Sequence, residues 1–67
     1  MVNLNTLGRN LHIALYDHKM SRPELAKKVG ASSQMINYII NGEKIPSVTL
    51  LAKIANALDT TIDELLK

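Results

Sequence analysis

Ser21-Arg22-Pro23-Glu24-Leu25-Ala26-Lys27-Lys28-Val29-Gly30-Ala31-Ser32-Ser33-Gln34-Met35-Ile36-Asn37-Tyr38-Ile39-Ile40-Asn41 is the stretch that decides the fold. It opens on a capping box. The Ser21 hydroxyl can accept from the Glu24 backbone N–H, and the Glu24 carboxylate can reach back to the Ser21 N–H. Pro23 sits in the first turn, where a missing N–H costs nothing. Met20 and Leu25 occupy the two places of a hydrophobic staple. The spacing predicts a helix that ends at Val29, because Gly30 suits the left-handed residue that closes a helix. Ser32 predicts a second N-cap, and the helix it opens runs to about Ile40, where Asn41-Gly42 stops it. Two helices joined by a turn of three to four residues containing glycine form a helix-turn-helix at about residues 21–41.

The apolar pattern supports that geometry. Ala26 falls where the two helices come closest, so a larger side chain would push them apart. Gly30 supplies the positive φ of the tight turn. Leu25, Val29, Ile36 and Ile39 fill the shared inner face. A Leu-Ala pair, a glycine four residues after the alanine and an isoleucine six residues after the glycine make a demanding combination.

Outside this stretch, helical spacing dominates. Leu4, Leu7, Leu11, Ala14, Leu15 and His18 predict a first helix over roughly 5–18. Gly8 within it costs about 1 kcal/mol relative to alanine, which blurs the expected start. Pro46 keeps the loop after Asn41-Gly42 non-helical, and Ser47 caps a fourth helix through Leu58. Its expected core face is Val48, Leu51, Ala52, Ala55 and Leu58. Thr61-Ile62-Asp63-Glu64 reads as a second capping box, opening a short fifth helix. The expected fold is therefore an all-α, five-helix globule, one domain over residues 1–67.

Composition narrows the class. The 67 residues contain no cysteine, which excludes a disulfide framework and a zinc site built on thiolates. Apolar residues make up 46% of the chain and aromatics only 3%, so the core must be aliphatic. No apolar run approaches the roughly 18 residues of a membrane span. Met1-Val2-Asn3-Leu4-Asn5 lacks the basic start and apolar stretch of a signal peptide, so a cytoplasmic location is expected. A chain this short has little material to wall off an enclosed active site.

The net charge of +2 is unevenly spread. Residues 19–44 carry Lys19, Arg22, Lys27, Lys28 and Lys44 against Glu24 and Glu43, whereas residues 45–67 carry Lys53 and Lys67 against Asp59, Asp63 and Glu64. A basic zone on a small domain is an electrostatic footprint for nucleic acid. Taken alone, it better describes an ordinary surface with uneven lysines.

The segments Met20-Ser21…Glu24-Leu25-Ala26…Val29-Gly30, Ile36…Ile39…Asn41-Gly42…Pro46-Ser47 and Leu51-Ala52-Lys53-Ile54-Ala55-Asn56-Ala57-Leu58 resemble the lambda repressor-like DNA-binding domains, also called Cro/repressor-type or XRE-type helix-turn-helix. The resemblance covers residues 4–66. It implies a compact five-helix fold whose third helix lies in the major groove of DNA while the second crosses the backbone above it.

The outer positions of the third helix agree with that implication. Ser33, Gln34, Asn37, Tyr38 and Asn41 form an uncharged stripe, and most of them can both donate and accept hydrogen bonds. Such a face suits base edges: Gln or Asn can pair bidentately with adenine, and Ser serves several bases. By the resemblance, Ser33, Gln34 and Asn37 read bases. Tyr38 touches a thymine methyl, donates to a phosphate or packs at the helix edge. Met35 points sideways as core filler. Asn41 and Lys44 match positions that touch the DNA backbone, which fixes register without reading sequence. Arg22 stands where many relatives have glutamine, and the expectation for it stays open between a phosphate and a guanine. His12 and His18, six residues apart, fall on different helix faces and form no metal pair. No catalytic motif, cofactor or metal is expected.

Palindromic operators need two recognition helices about 34 Å apart. Leu50, Ile54 and Ala57 on the fourth helix, with Ile62, Leu65 and Leu66 on the fifth, are more apolar surface than one small core easily covers. A two-fold interface drawn from Leu50, Ile54, Ile62 and Leu66 is therefore expected. The overall expectation is a double-stranded DNA-binding regulator, a prokaryotic or phage repressor acting as a homodimer by operator occupancy. The chain would be either a complete regulator or the DNA-binding half of a longer one. The alternative is a protein-interaction module, an antitoxin or adaptor, and a protein partner or antirepressor is compatible with either reading.

Overall fold

Four hydroxyls begin four of the helices. In the computed structural model, which describes residues 4–67, Ser21, Ser32, Ser47 and Thr61 each adopt extended backbone and each accept from the backbone N–H three residues on. Each such cap contributes about 1 kcal/mol by satisfying a donor that the helix cannot. The elements are α1 (Leu4–Asp17), α2 (Arg22–Val29), α3 (Ser33–Ile40), α4 (Val48–Ala57) and α5 (Ile62–Leu66). This is the five-helix order expected from the sequence. Met1–Asn3, read above for targeting, and the side chain of Leu4 lie outside the described residues.

The capping box at Ser21 is complete, with Glu24 N to Ser21 Oγ at 3.1 Å and Ser21 N to Glu24 Oε1 at 3.0 Å. At Thr61 only half of the expected box forms. The hydroxyl accepts from Glu64 N, but the Glu64 carboxylate turns away to the Lys67 ammonium, 3.0 Å distant. A flexible lysine three residues on competes directly for that carboxylate.

The helices α1 to α4 close in one way. The N–H of a left-handed residue just past each helix bonds three residues back, and the N–H of the residue after it bonds five back. Gly30 (φ 72°) and Gly42 (φ 75°) serve α2 and α3, as their sequence positions predict. Lys19 (φ 51°) and Asp59 (φ 52°) serve α1 and α4. A left-handed side chain costs about 1–2 kcal/mol, and the sequence signals neither position. The tight connections to α2 and α5 impose them.

The core is aliphatic. Leu7, Leu11, Leu15, Leu25, Ala26, Val29, Ile36, Ile39, Ile54, Ala55, Leu58 and Leu65 are buried, and among the described residues no polar or charged side chain is buried. The helix α3 packs on both α1 and α2, α4 on α2, and α5 on α1 and α4. Asn10 of α1 ties down the last element by donating from Nδ2 to the Leu65 carbonyl at 2.8 Å.

The expected face of α4 is corrected. Val48 is 77% exposed and Ala52 is exposed, whereas Ile54 is fully buried beside Ala55 and Leu58. The helix is apolar nearly all round, so two overlapping stripes satisfy the helical period. Docking against α2 and α5 selects the one through Ile54.

Gly8 is buried, and its role is steric. A Cβ there would overlap the carbonyl oxygen of Ile40, and it would lie 2.8 Å from the Ile40 carbonyl carbon and 3.0 Å from Ile39 O. The backbone of α1 thus lies flush on the C-terminal turn of α3. Alanine gains about 1 kcal/mol of helix propensity over glycine, and overpacking costs about 1–3 kcal/mol. Because the obstacle is backbone that cannot rotate aside, the clash wins. Gly8→Ala is expected to lower the melting temperature by several degrees, roughly 4–8 °C per kcal/mol lost. A thermal melt by circular dichroism with an unchanged or raised midpoint would refute the close approach.

Candidate nucleic-acid interface

The face of α3 away from the core carries the residues singled out from the sequence. Ile36 and Ile39 point inward, fully buried, and Met35 is half-buried against the same core. This leaves Ser33, Gln34 and Asn41 exposed, with Asn37 and Tyr38 half-buried between them and the α2 end. The expected stripe is therefore a real surface, one turn after another of uncharged polar groups.

Two hydrogen bonds and one ring contact fix its members. Arg22, the first residue of α2, donates from Nη1 to Asn37 Oδ1 at 2.8 Å. This bond crosses the turn and joins residues fifteen apart in sequence. Gln34 donates from Nε2 to the Tyr38 hydroxyl at 3.0 Å, one helical turn on. Lys44, in the loop after α3, holds its ammonium 4.7 Å from the centroid of the Tyr38 ring. At a partly exposed site such a cation–ring contact contributes about 0.5–1 kcal/mol. Tyr38 is thereby held from both sides, and its half-burial matches the packing role as well as it permits contact with a ligand.

The i, i+4 spacing of Gln34 and Tyr38 was visible in the sequence. The Arg22–Asn37 and Lys44–Tyr38 pairings carried no sequence signal, because they depend on the angle between α2 and α3 and on the path of the loop.

The position of Arg22 depends on the start of α2, and that start is electrostatically set. The backbone N–H of Ser21, and then its side chain, hold the Glu24 carboxyl below its usual range, with Lys28 adding a smaller pull. A lowered pKa means that the charged form favours the folded state. That contribution is present above the ordinary value of 4.5 and is lost as pH falls through the lowered one.

The expected two-fold interface residues separate. Ile54 is buried within the domain and offers no surface to a second copy. Leu50, Ile62 and Leu66 are half-buried, packed against the core with part of each side chain outside. His12 and His18 are both exposed, and the His18 ring meets its own helix at the Ala14 carbonyl, 2.9 Å away. Among the described residues no group of three or more His, Asp or Glu is placed to hold a metal ion. No helix among them is long and apolar enough to cross a membrane.

These features define a helix-turn-helix domain whose second helix presents a polar, uncharged outer face. The family model described as helix-turn-helix matches residues 17–65, and the chain belongs to that family, in its lambda repressor-like, XRE-type form. Among solved structures, the clp gene regulator ClgR from Corynebacterium glutamicum is 27% identical with a TM-score of 0.89. The match covers 94% of this chain and 67% of that one. The restriction-modification controller protein C.AhdI from Aeromonas hydrophila is 26% identical with a TM-score of 0.88, over 92% of this chain and 94% of that one. Hydroxypropylphosphonic acid epoxidase from S. wedmorenis is 26% identical with a TM-score of 0.86, over 94% of this chain but only 34% of the epoxidase. Among curated protein sequences none matches.

Replacing Glu24 by Gln keeps a capping box while removing the charge. The wild-type protein should melt above Glu24→Gln at neutral pH. The gap should close as pH is lowered below 4.5. Melting curves at several pH values check this, and a gap that widens on acidification would reverse the sign of the argument.

Proposed function

We propose that this chain is a sequence-specific, double-stranded DNA-binding transcriptional regulator, a prokaryotic or phage repressor that works in the cytoplasm as a homodimer occupying its operator. The observation that carries this reading is the outer face of α3. It is uncharged, rich in groups that donate and accept, and held rigid by Arg22, Tyr38 and Lys44. An ordinary solvated face has no need of such fixing. Base readout has, because each lost rotamer would otherwise count against binding.

Ser33, Gln34, Asn37 and Tyr38 meet base edges in the major groove, and Arg22, Asn41 and Lys44 hold the DNA backbone. The helix-turn-helix membership and the likeness to two solved regulators support the same reading. The epoxidase match spans a third of a longer enzyme and supports the fold alone. No catalytic residue or cofactor is assigned to this chain.

DNA binding of this kind must weaken steeply with salt, because each phosphate contact releases counterions. Lys44→Ala should weaken binding to all sequences alike and reduce the salt slope by about 1. Gln34→Ala should instead cost about 1–3 kcal/mol on the preferred site and relax its sequence preference. Fluorescence anisotropy across a salt series measures both. Binding that ignores salt would favour a protein-interaction module.

The chain carries one recognition helix, α3, and successive major-groove faces lie roughly 34 Å apart, so one copy covers a single half-site. The outer parts of Leu50, Ile62 and Leu66 supply the two-fold contact in this reading. Sedimentation should reveal a dimer at high micromolar concentration or on DNA. A monomer under both conditions would remove the dimer and leave the DNA reading standing.

A further inference from the structure

The outward face of α1 is not the plain polar surface of a solvated helix. Leu7, Leu11 and Leu15 turn to the core. On the opposite side stands Ile13, 45% exposed, and three residues on stands Tyr16, 82% exposed and one of only two aromatic residues in the chain. The core uses neither side chain. The residues assigned above to DNA contact all lie elsewhere, on α2, on α3 and in the segment after it. An aromatic ring left in water beside an isoleucine, with charged residues around both, has the make-up of a contact surface.

The charges say what covers it. Arg9 and Asp17 are both exposed. They lie four residues before and four residues after Ile13, about 40° to either side of it and about 6 Å along the axis in opposite directions. Among the described residues neither side chain has an ion-pair or hydrogen-bond partner. Asp17 is moreover the last residue of α1, where the helix dipole disfavours a carboxylate, and no basic residue lies in that last turn. A cation brought from outside would relieve it.

That cation is present on the same face of a second copy. A two-fold axis through Ile13 turns α1 end over end. Ile13 then meets Ile13, and Arg9 of each copy falls beside Asp17 of the other. Tyr16 widens the apolar centre. A parallel pairing would instead set Arg9 against Arg9 and Asp17 against Asp17, where like charges repel. The order of charge along the helix thus selects both the occupant and its direction.

We propose that α1 is an interface between two copies of this chain, packed antiparallel about Ile13 and joined by two Arg9–Asp17 pairs. It is separate from the contact proposed for α4 and α5, and it uses none of the residues proposed to touch DNA.

The chain has no cysteine, so a single introduced one reports the contact. Helices packed about 8–10 Å apart bring facing backbones within disulfide reach. The full 67-residue chain is oxidised mildly at low salt, without DNA. Ile13→Cys should form the linked dimer at least about tenfold faster than His12→Cys, which is turned about 100° off the axis. Adding either Arg9→Glu or Asp17→Arg to Ile13→Cys places like charges at both pairs and should slow linkage about tenfold. Mixing those two charge variants restores opposite charges at both pairs. The mixed dimer, separated from the others by mass, should then form as fast as Ile13→Cys alone. All four positions are exposed, so the fold does not depend on them.

Ile13→Cys linking no faster than His12→Cys would overturn the proposal. So would a mixture of the two charge variants that links at random, with no preference for the mixed dimer. Either result leaves the DNA reading and the α4–α5 contact standing, because linkage through residue 13 reads the α1 face alone.

Discussion

The packing of α3 against α1 and α2 is the contact on which the rest of the molecule depends. Eight residues make no stable helix in water by themselves, so α3 exists because Ile36 and Ile39 are buried in a groove that the other two helices form. The groove is usable only if backbones come close. On one side Ala26 is buried with the α2–α3 core, and on the other Gly8 lets α1 rest on the carbonyls of Ile39 and Ile40. Small residues at both approaches are what turn a short polar helix into a fixed platform.

The remaining parts hold that platform at one angle. The hydroxyl caps and the closing turns define where each helix starts and stops, which leaves little slack in the connections. Two of those turns spend conformational energy at Lys19 and Asp59, a sign that chain direction outweighs local preference there. The same constraint reaches the surface. Because the angle between α2 and α3 is fixed, the first residue of α2 can meet the middle of α3, and Asn37 accepts a hydrogen bond from a side chain on another helix.

Much of this was legible in the sequence. The five helices, the complete capping box at Ser21, the left-handed glycines and the inner face of Leu25, Val29, Ile36 and Ile39 all follow from local signals, and each appears in the structure. The differences share a cause. The face of α4 differs from its periodicity because an apolar helix satisfies the period in more than one rotation. Ile54 belongs to the core and not to an interface for the same reason. The box at Thr61 stays half-formed because the competing Lys67 lies outside the motif. Gly8 is locally a cost, and its benefit is invisible in the sequence because its partner is more than thirty residues away.

The division follows the range of the forces involved. Caps, breakers and helical periodicity act within a few residues, so the sequence by itself determined where the helices lie, which residues of α3 face outward and which family the chain resembles. Contacts between elements depend on rotation and crossing angle, which are set by packing a whole core at once. Only the tertiary structure decided which stripe of α4 is buried, why residue 8 has no side chain, and that Arg22 donates to Asn37, because each of these depends on where a distant backbone comes to rest.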